Sequence, residues 1–165
     1  MKAIVAVDKF WGIGKDNDLL FSIPEDMKFF RQTTLNKVVV MGSNTLRSFP
    51  NGNPLKNRVN VVLSTTVQRD DAVIAKSIPE LFKLLKKYPS DKIFVIGGAM
   101  LYKALLPYCE SVLVTMVIAD GKADAFFENL DLHDEFSLVK QSEIVNSNGY
   151  DIKFTVYKNN SVKEF

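Results

Sequence analysis

The sequence predicts a three-layer α/β fold: a predominantly parallel, mixed β-sheet flanked by helices, with antiparallel strands at its C-terminal edge. Three observations predict it. Short continuous apolar runs such as Lys2 to Val7 and Lys37 to Met41 alternate with segments of helical periodicity, as expected for strands covered on both faces. Two such runs end in glycine followed by a helix start, at Gly42 and at Gly97-Gly98. From Phe136 onward the pattern changes: apolar and polar residues alternate on both sides of Asn146-Ser147-Asn148-Gly149, which reads as a hairpin.

Taken in order, Lys2 to Val7 is the first buried strand, ended by Asp8. The glycine-containing loop from Lys9 to Asp18 still carries Phe10, Trp11 and Ile13, so it packs over something, and a lid on a ligand site is one such role. A helix follows from Pro24. Lys37 to Met41 is the second strand, running into Gly42-Ser43-Asn44-Thr45 and a short helix toward Phe49. Free N–H groups at such a turn are able to hold a phosphate, although glycine for geometry alone is the common case. Arg58 to Leu63 is the third strand, with the hydroxyls Ser64-Thr65-Thr66 at its carboxyl end. Ala72 to Ala75 is a short strand before a helix from Pro79 to Tyr88, whose Lys83, Lys86 and Lys87 form its solvated side. Lys92 to Ile96 runs into Gly97-Gly98 and the helix Ala99 to Leu106, and Val112 to Ile118 is a further strand containing Thr115. Neither the dinucleotide fingerprint Gly-x-Gly-x-x-Gly nor the Walker lysine pattern is present. Ligands of such open sheets bind beyond the carboxyl ends of the strands, where Gly42, Ser64 and Gly97 lie.

Length and composition set the remaining bounds. The 165 residues suit one domain over 1–165, large enough to bury roughly 70% of its unfolded surface without staples. Cys109 is the only cysteine and His133 the only histidine, which excludes an intrachain disulfide and a cysteine/histidine metal cluster. Cys109 reads as a half-buried filler, and His133 lies in a polar run that reads as a surface loop. The net charge of +2, from 21 basic and 19 acidic residues without long runs of either sign, argues against a nucleic-acid partner. No apolar run approaches the ~20 residues of a membrane span, and Met1 leads directly into a strand, so a cytoplasmic monomer is expected.

The chemistry concentrates around Asp26. Ser-Ile-Pro-Glu occurs twice, at Ser22 and at Ser77, and each copy starts a helix. In the second copy Leu81, Leu84, Leu85 and Tyr88 form a core-facing stripe; the matching positions of the first are Asp26, Phe29, Phe30 and Thr33. Asp26 therefore occupies a core-facing register while Glu25, like Glu80, already serves the helix dipole. A carboxylate there calls for a partner, a shifted pKa or a ligand that needs its charge.

At this point the chain resembles bacterial dihydrofolate reductases over essentially its whole length: Ala-Val-Asp and Gly-Ile-Gly-Lys-Asp-Asn, Ile-Pro-Glu-Asp-Met-Lys-Phe-Phe, Val-Val-Met-Gly-Ser-Asn-Thr, Asn-Val-Val-Leu-Ser, Val-Ile-Gly-Gly-Ala and Thr115. The resemblance implies hydride transfer from NADPH to dihydrofolate, giving tetrahydrofolate. It implies that Asp26 binds the pterin edge and promotes its protonation, with Thr115 hydrogen-bonded to the carboxylate and Phe21 at the site. Val5, Ala6, Met27, Phe30, Phe49 and Leu55 would line the pterin and aminobenzoyl pocket, and Arg58 would pair with the substrate's glutamate carboxylate. Cofactor contacts would come from Ala6, Gly42, Ser43, Asn44, Thr45, Leu63, Ser64, Thr65, Lys76, Ile96, Gly97, Gly98, Ala99, Met100, Leu101 and Tyr102. Ile13 and Gly14 would belong to a mobile lid, held closed with help from Asp124.

The sequence departs from the family pattern where Leu20 and Phe21 replace a common proline and tryptophan, and where Ser43, Asn44 and Met100 replace basic residues on the cofactor's phosphates. Ser64 and Thr65, with Lys76, remain for the 2′-phosphate, so NADPH is expected with a smaller preference over NADH. Two rival functions are a reductase of the same fold acting on another heterocycle, as in riboflavin synthesis, and a non-catalytic nucleotide-binding module. Asp26 and Arg58 argue against the first. The second would bind NADPH without folate-dependent oxidation of it.

Overall fold

A computed structural model describes residues 1–165. Its main sheet has the order β10-β11-β7-β1-β6-β3-β4-β5 with β9 also on β11, where β1 is Lys2–Val7, β3 Val38–Gly42, β4 Val59–Leu63, β5 Val73–Ala75, β6 Ile93–Gly97, β7 Ser111–Val117, β9 Phe136–Gln141, β10 Val145–Ser147 and β11 Tyr150–Asn159. The strands from β7 through β5 are parallel, and β11 joins β7 antiparallel. Helices α1 (Pro24–Thr34), α2 (Ser43–Ser48), α3 (Ile78–Leu85) and α4 (Ala99–Leu105) connect them. No helix is long and apolar enough to cross a membrane.

Alternation along β3 shows why the strands read as unbroken apolar runs. Val38 and Val40 enter the larger core with Leu81 and Leu85 of α3 and Leu101 and Leu105 of α4, while Val39 and Met41 face the opposite way onto Leu46 of α2. Each residue from Val38 to Met41 is thus buried on one side or the other, and the three layers follow. The parallel register brings the carboxyl ends of β1, β3, β4 and β6 to one rim of the sheet.

Several expectations are corrected. The stretch Phe136 to Val145 is not one strand: it breaks at Ser142, whose N–H donates to the Phe154 carbonyl (2.8 Å) and whose Oγ accepts from the Phe154 N–H (2.9 Å). β9 and β10 therefore share one edge of β11, and the hairpin turn shrinks to Asn148-Gly149, both at positive φ (53° and 82°), as a tight two-residue hairpin requires. The Lys9 to Asp18 loop contains a short strand, β2 (Gly12–Gly14), paired with β8 (Ala125–Phe126) in a separate two-stranded sheet. Cys109 is fully rather than half buried, and burial pushes its thiol pKa up to about 12. His133 lies in a loop, as its polar run implies, and packs edge-on against Phe136 with Nδ1 accepting from the Glu135 N–H (3.1 Å).

Candidate active site

The two Ser-Ile-Pro-Glu helices start differently. In the second copy Ser77 caps α3, its side chain accepting from the Glu80 N–H at 3.2 Å. In the first copy the cap position falls on Ile23, which offers no side-chain acceptor, and the Glu25 N–H instead reaches Ser147 Oγ in β10 (3.3 Å). Asn148 adds a bond from Nδ2 to the Ser22 carbonyl (2.8 Å). A distant hairpin thus fixes the start of α1, and with it the direction in which Asp26 points.

Asp26 is half-buried at the rim of the sheet, and Thr115 of β7 donates its hydroxyl to Asp26 Oδ1 at 2.6 Å. Burial raises the carboxyl pKa above its ordinary value, and the Thr115 bond opposes that rise. Thr115 lies beside Ala6 in the β1–β7 register and opposite Phe154 of β11. Phe154 in turn packs on Phe29 of α1, ring centroids 4.9 Å apart. Tyr102 of α4 is buried and donates its hydroxyl to the Ile4 carbonyl (2.7 Å), tying α4 to β1 below the same rim. Burial, then the Asp26 charge, raise its pKa and keep the phenol neutral.

The outer part of the cleft is set by residues the sequence did not single out. Arg58 Nε donates to Thr34 Oγ1 (3.1 Å) and Nη1 to the Lys56 carbonyl (3.0 Å), while Thr34 itself donates to the Phe30 carbonyl (2.8 Å). The guanidinium is held against the end of α1 before any ligand arrives. Burial and then the charge of Arg31 lower its pKa, and neither arginine has a carboxylate within ion-pair distance. Asn60 brackets Leu55, accepting from its N–H (3.0 Å) and donating to its carbonyl (2.9 Å). A polar residue inside the apolar run Val59 to Leu63 was a legible signal for that bracket; Thr34 at a helix end carried none. Phe49 and Leu55 pack on the core face below α2, Val5 is buried, Phe30 half-buried, and Met27 is 58% exposed.

At the next turns along the rim, glycine leaves room. A Cβ built on Gly97, whose φ is +128°, would lie 3.2 Å from Thr45 Oγ1, and one on Gly42 would lie 4.0 Å from the Gly97 carbonyl and the Gly98 nitrogen. Gly42, Thr45, Gly97 and Gly98 therefore come together closely as one glycine cradle. Ser64 uses its Oγ to accept from the Thr66 and Val67 N–H groups (3.2 and 3.0 Å), while Thr65 and Lys76 are exposed. Lys76, with Val67, Gln68, Arg69, Asp70 and Ile74, borders a shallow cavity of about 320 Å³. Leu101 is buried in the larger core, while Leu63 and Ile96 are half-buried, Ile96 on the opposite face. Ala99 opens α4.

The loop after β1 is fastened at several points. Asp8, buried, accepts from the N–H groups of Phe10 (2.8 Å), Gly12 (2.7 Å) and Gly121 (3.0 Å). Trp11 turns into the core between Phe127 and Tyr157, whereas Phe10 stays 59% exposed. Further out, Asp124 Oδ2 accepts from the Asp16 N–H (3.0 Å) and the Asp124 N–H donates to the Gly14 carbonyl (2.9 Å). Ile13 and Gly14 are thereby positioned by a second loop, and Asp8 was the anchor the sequence reading passed over.

A family model for dihydrofolate reductase matches residues 1–159. The chain belongs to the dihydrofolate reductase family. It is 32% identical to dihydrofolate reductase of Bacillus subtilis, covering 97% of this chain and 95% of that one, and 36% identical to that of Enterococcus faecium, covering 90% of each. Dihydrofolate reductase from Enterococcus faecalis, solved with NADP(H) and RAB-propyl, superposes with a TM-score of 0.84 at 29% identity, over 96% of this chain and 95% of that one. The departures from the family pattern have structural counterparts. Phe21 packs on Tyr150 with centroids 4.8 Å apart, and a Cβ on Gly121 would meet Leu20 Cδ1 at 2.8 Å and Phe21 Cζ at 3.0 Å. Glycine at 121 lets Leu20 and Phe21 approach that loop closely. Met100 is 89% exposed.

Proposed function

We propose that this protein reduces 7,8-dihydrofolate to tetrahydrofolate with NADPH, Asp26 acting as the acid-base residue. The observation that carries the reading is the half-buried Asp26 carboxylate with Thr115 on one oxygen and no cation paired to it. A carboxylate so placed is suited to accept two N–H groups from the amino-pyrimidine edge of a pterin, and its raised pKa suits a proton-transfer role. NADPH supplies the hydride when bound. The residues at the rim fit that cofactor: Gly42, Gly97 and Gly98 let the backbone approach closely beside the Thr45 hydroxyl, a donor set suited to a phosphate group.

The remaining side chains divide the task. Val5, Ala6, Met27, Phe30, Phe49 and Leu55 provide the apolar walls for the pterin and aminobenzoyl rings, and Phe21 closes the pterin end without an indole N–H. Arg58, preset by Thr34 and Lys56, keeps an N–H edge for the glutamate carboxylate. Ser43, Asn44, Ser64, Thr65, Lys76 and Ala99 face the cofactor's phosphates. Leu63, Ile96, Met100, Leu101 and Tyr102 shape the adenosine and ribose channel, while Ile13 and Gly14 cover the nicotinamide. Closing that lid excludes water from the reacting atoms.

The test is NADPH oxidation with dihydrofolate, comparing wild type with Asp26→Asn across pH. Loss of the proton-transfer group should lower turnover near neutrality by about a hundredfold or more. A variant equal to wild type there removes Asp26 from the mechanism, and a wild type that binds NADPH but leaves dihydrofolate unreduced removes the enzymatic reading.

A further inference from the structure

We propose that Arg47 is a phosphate-binding residue of the cofactor site, a cation delivered to the β3–α2 turn from further along α2. The proposal rests on the NADPH reading above. Arg47 Nη2 donates to Asn44 Oδ1 and lies 3.4 Å from Ser43 Oγ, so the guanidinium is folded back over the two residues that precede Thr45 in the glycine cradle. Both partners are neutral. No carboxylate comes within ion-pair distance of Arg47, and its charge is left uncompensated.

The local charge balance points the same way. From Met27 to Gln68 the chain carries six basic residues and no acidic one, in a protein of net charge +2. This segment builds most of α1 with β3, α2 and β4, and an excess of one sign of that kind recruits anions. A contact to Ser43 and Asn44 alone would need only a neutral side chain, and such helical pairs contribute little. A guanidinium keeps further donors in a planar fork that matches phosphate oxygens. Asn44 is also touched by the lid, Asn17 Nδ2 donating to its carbonyl at 3.3 Å, so Arg47 steadies the residue on which the lid rests. The positive charge missing at positions 43, 44 and 100 is thus restored from position 47.

The cofactor offers two phosphate groups, the pyrophosphate and the 2′-phosphate, and binding separates them. Trp11 is the only tryptophan, and quenching of its fluorescence reads equilibrium binding without turnover. Wild type, Arg47→Gln and Arg47→Lys are titrated with NADPH and with NADH at low and high salt. Arg47→Gln should weaken NADPH binding about fivefold at low salt, with the difference shrinking as salt rises. Arg47→Lys, which keeps the charge and loses the fork, should fall between. Weakening shared by NADH assigns the guanidinium to the pyrophosphate; weakening confined to NADPH assigns it to the 2′-phosphate. Either supports the proposal. NADPH affinity in Arg47→Gln within roughly twofold of wild type overturns it, whereas a wild type that binds no NADPH overturns the cofactor reading instead.

Discussion

Thr115 donates its hydroxyl to Asp26 at 2.6 Å across 89 residues of sequence, joining β7 to α1 at the rim of the sheet. The bond lowers the Asp26 pKa while burial raises it, and burial is the larger effect. The carboxyl group therefore titrates above its value in the unfolded chain.

The sign of the resulting stability effect follows from linkage. A carboxyl whose folded-state pKa is raised contributes stability that is present below its unfolded value and is lost as pH rises through the folded value. Asp26→Asn should then raise Tm at neutral pH, with the gain fading as pH falls toward the unfolded carboxyl value. Thermal unfolding across pH checks this; a variant less stable than wild type at neutral pH would show that the carboxylate is compensated in the folded state.

Thr115→Val removes the hydroxyl while keeping the shape. The Asp26 pKa should move further up, displacing the limb of the kcat/KM profile that Asp26 sets to higher pH. Stability near neutrality should fall by about 1–2 kcal/mol, the range for a charged acceptor left with one partner fewer. An unshifted profile would mean that water replaces the hydroxyl.

Arg58→Lys should raise KM for dihydrofolate by roughly tenfold, because a lysine supplies no planar fork and cannot reach Thr34 and the ligand together. The matching control is dihydropteroate, which lacks the glutamate. Its KM should be nearly the same in both proteins, and an equal loss on that substrate would place Arg58 outside the glutamate contact.

Gly12→Ala should destabilise the protein by about 1–3 kcal/mol through overpacking, because its new Cβ would run into Ala123 Cβ and lie 3.0 Å from both Asp8 carboxylate oxygens. Adding Ala123→Gly removes the closest clash and should return part of the loss. Chemical denaturation of both variants measures the coupling; strict additivity would show that the two loops separate freely.

The residue pattern alone carried the sheet and its helices and drew attention to one acid. Apolar runs buried on both faces carry their own signature, glycine at two strand ends marked the cradle, and the duplicated Ser-Ile-Pro-Glu isolated Asp26 as an acid in a core-facing register. Those signals are local, set by neighbours a few residues away. Folding alone shows how each group is held: Ser147 capping α1, Thr34 presetting Arg58, Asp8 fastening two loops, Arg47 folding over Asn44. Except for Arg47, these bonds cross between elements distant in sequence, where composition and periodicity carry no record of the partner. The strand break at Ser142 belongs with them, since only pairing with β11 reveals that the alternating stretch is two strands. The pattern of residues chose the layers, and the packing of those layers chose the aim of the side chains.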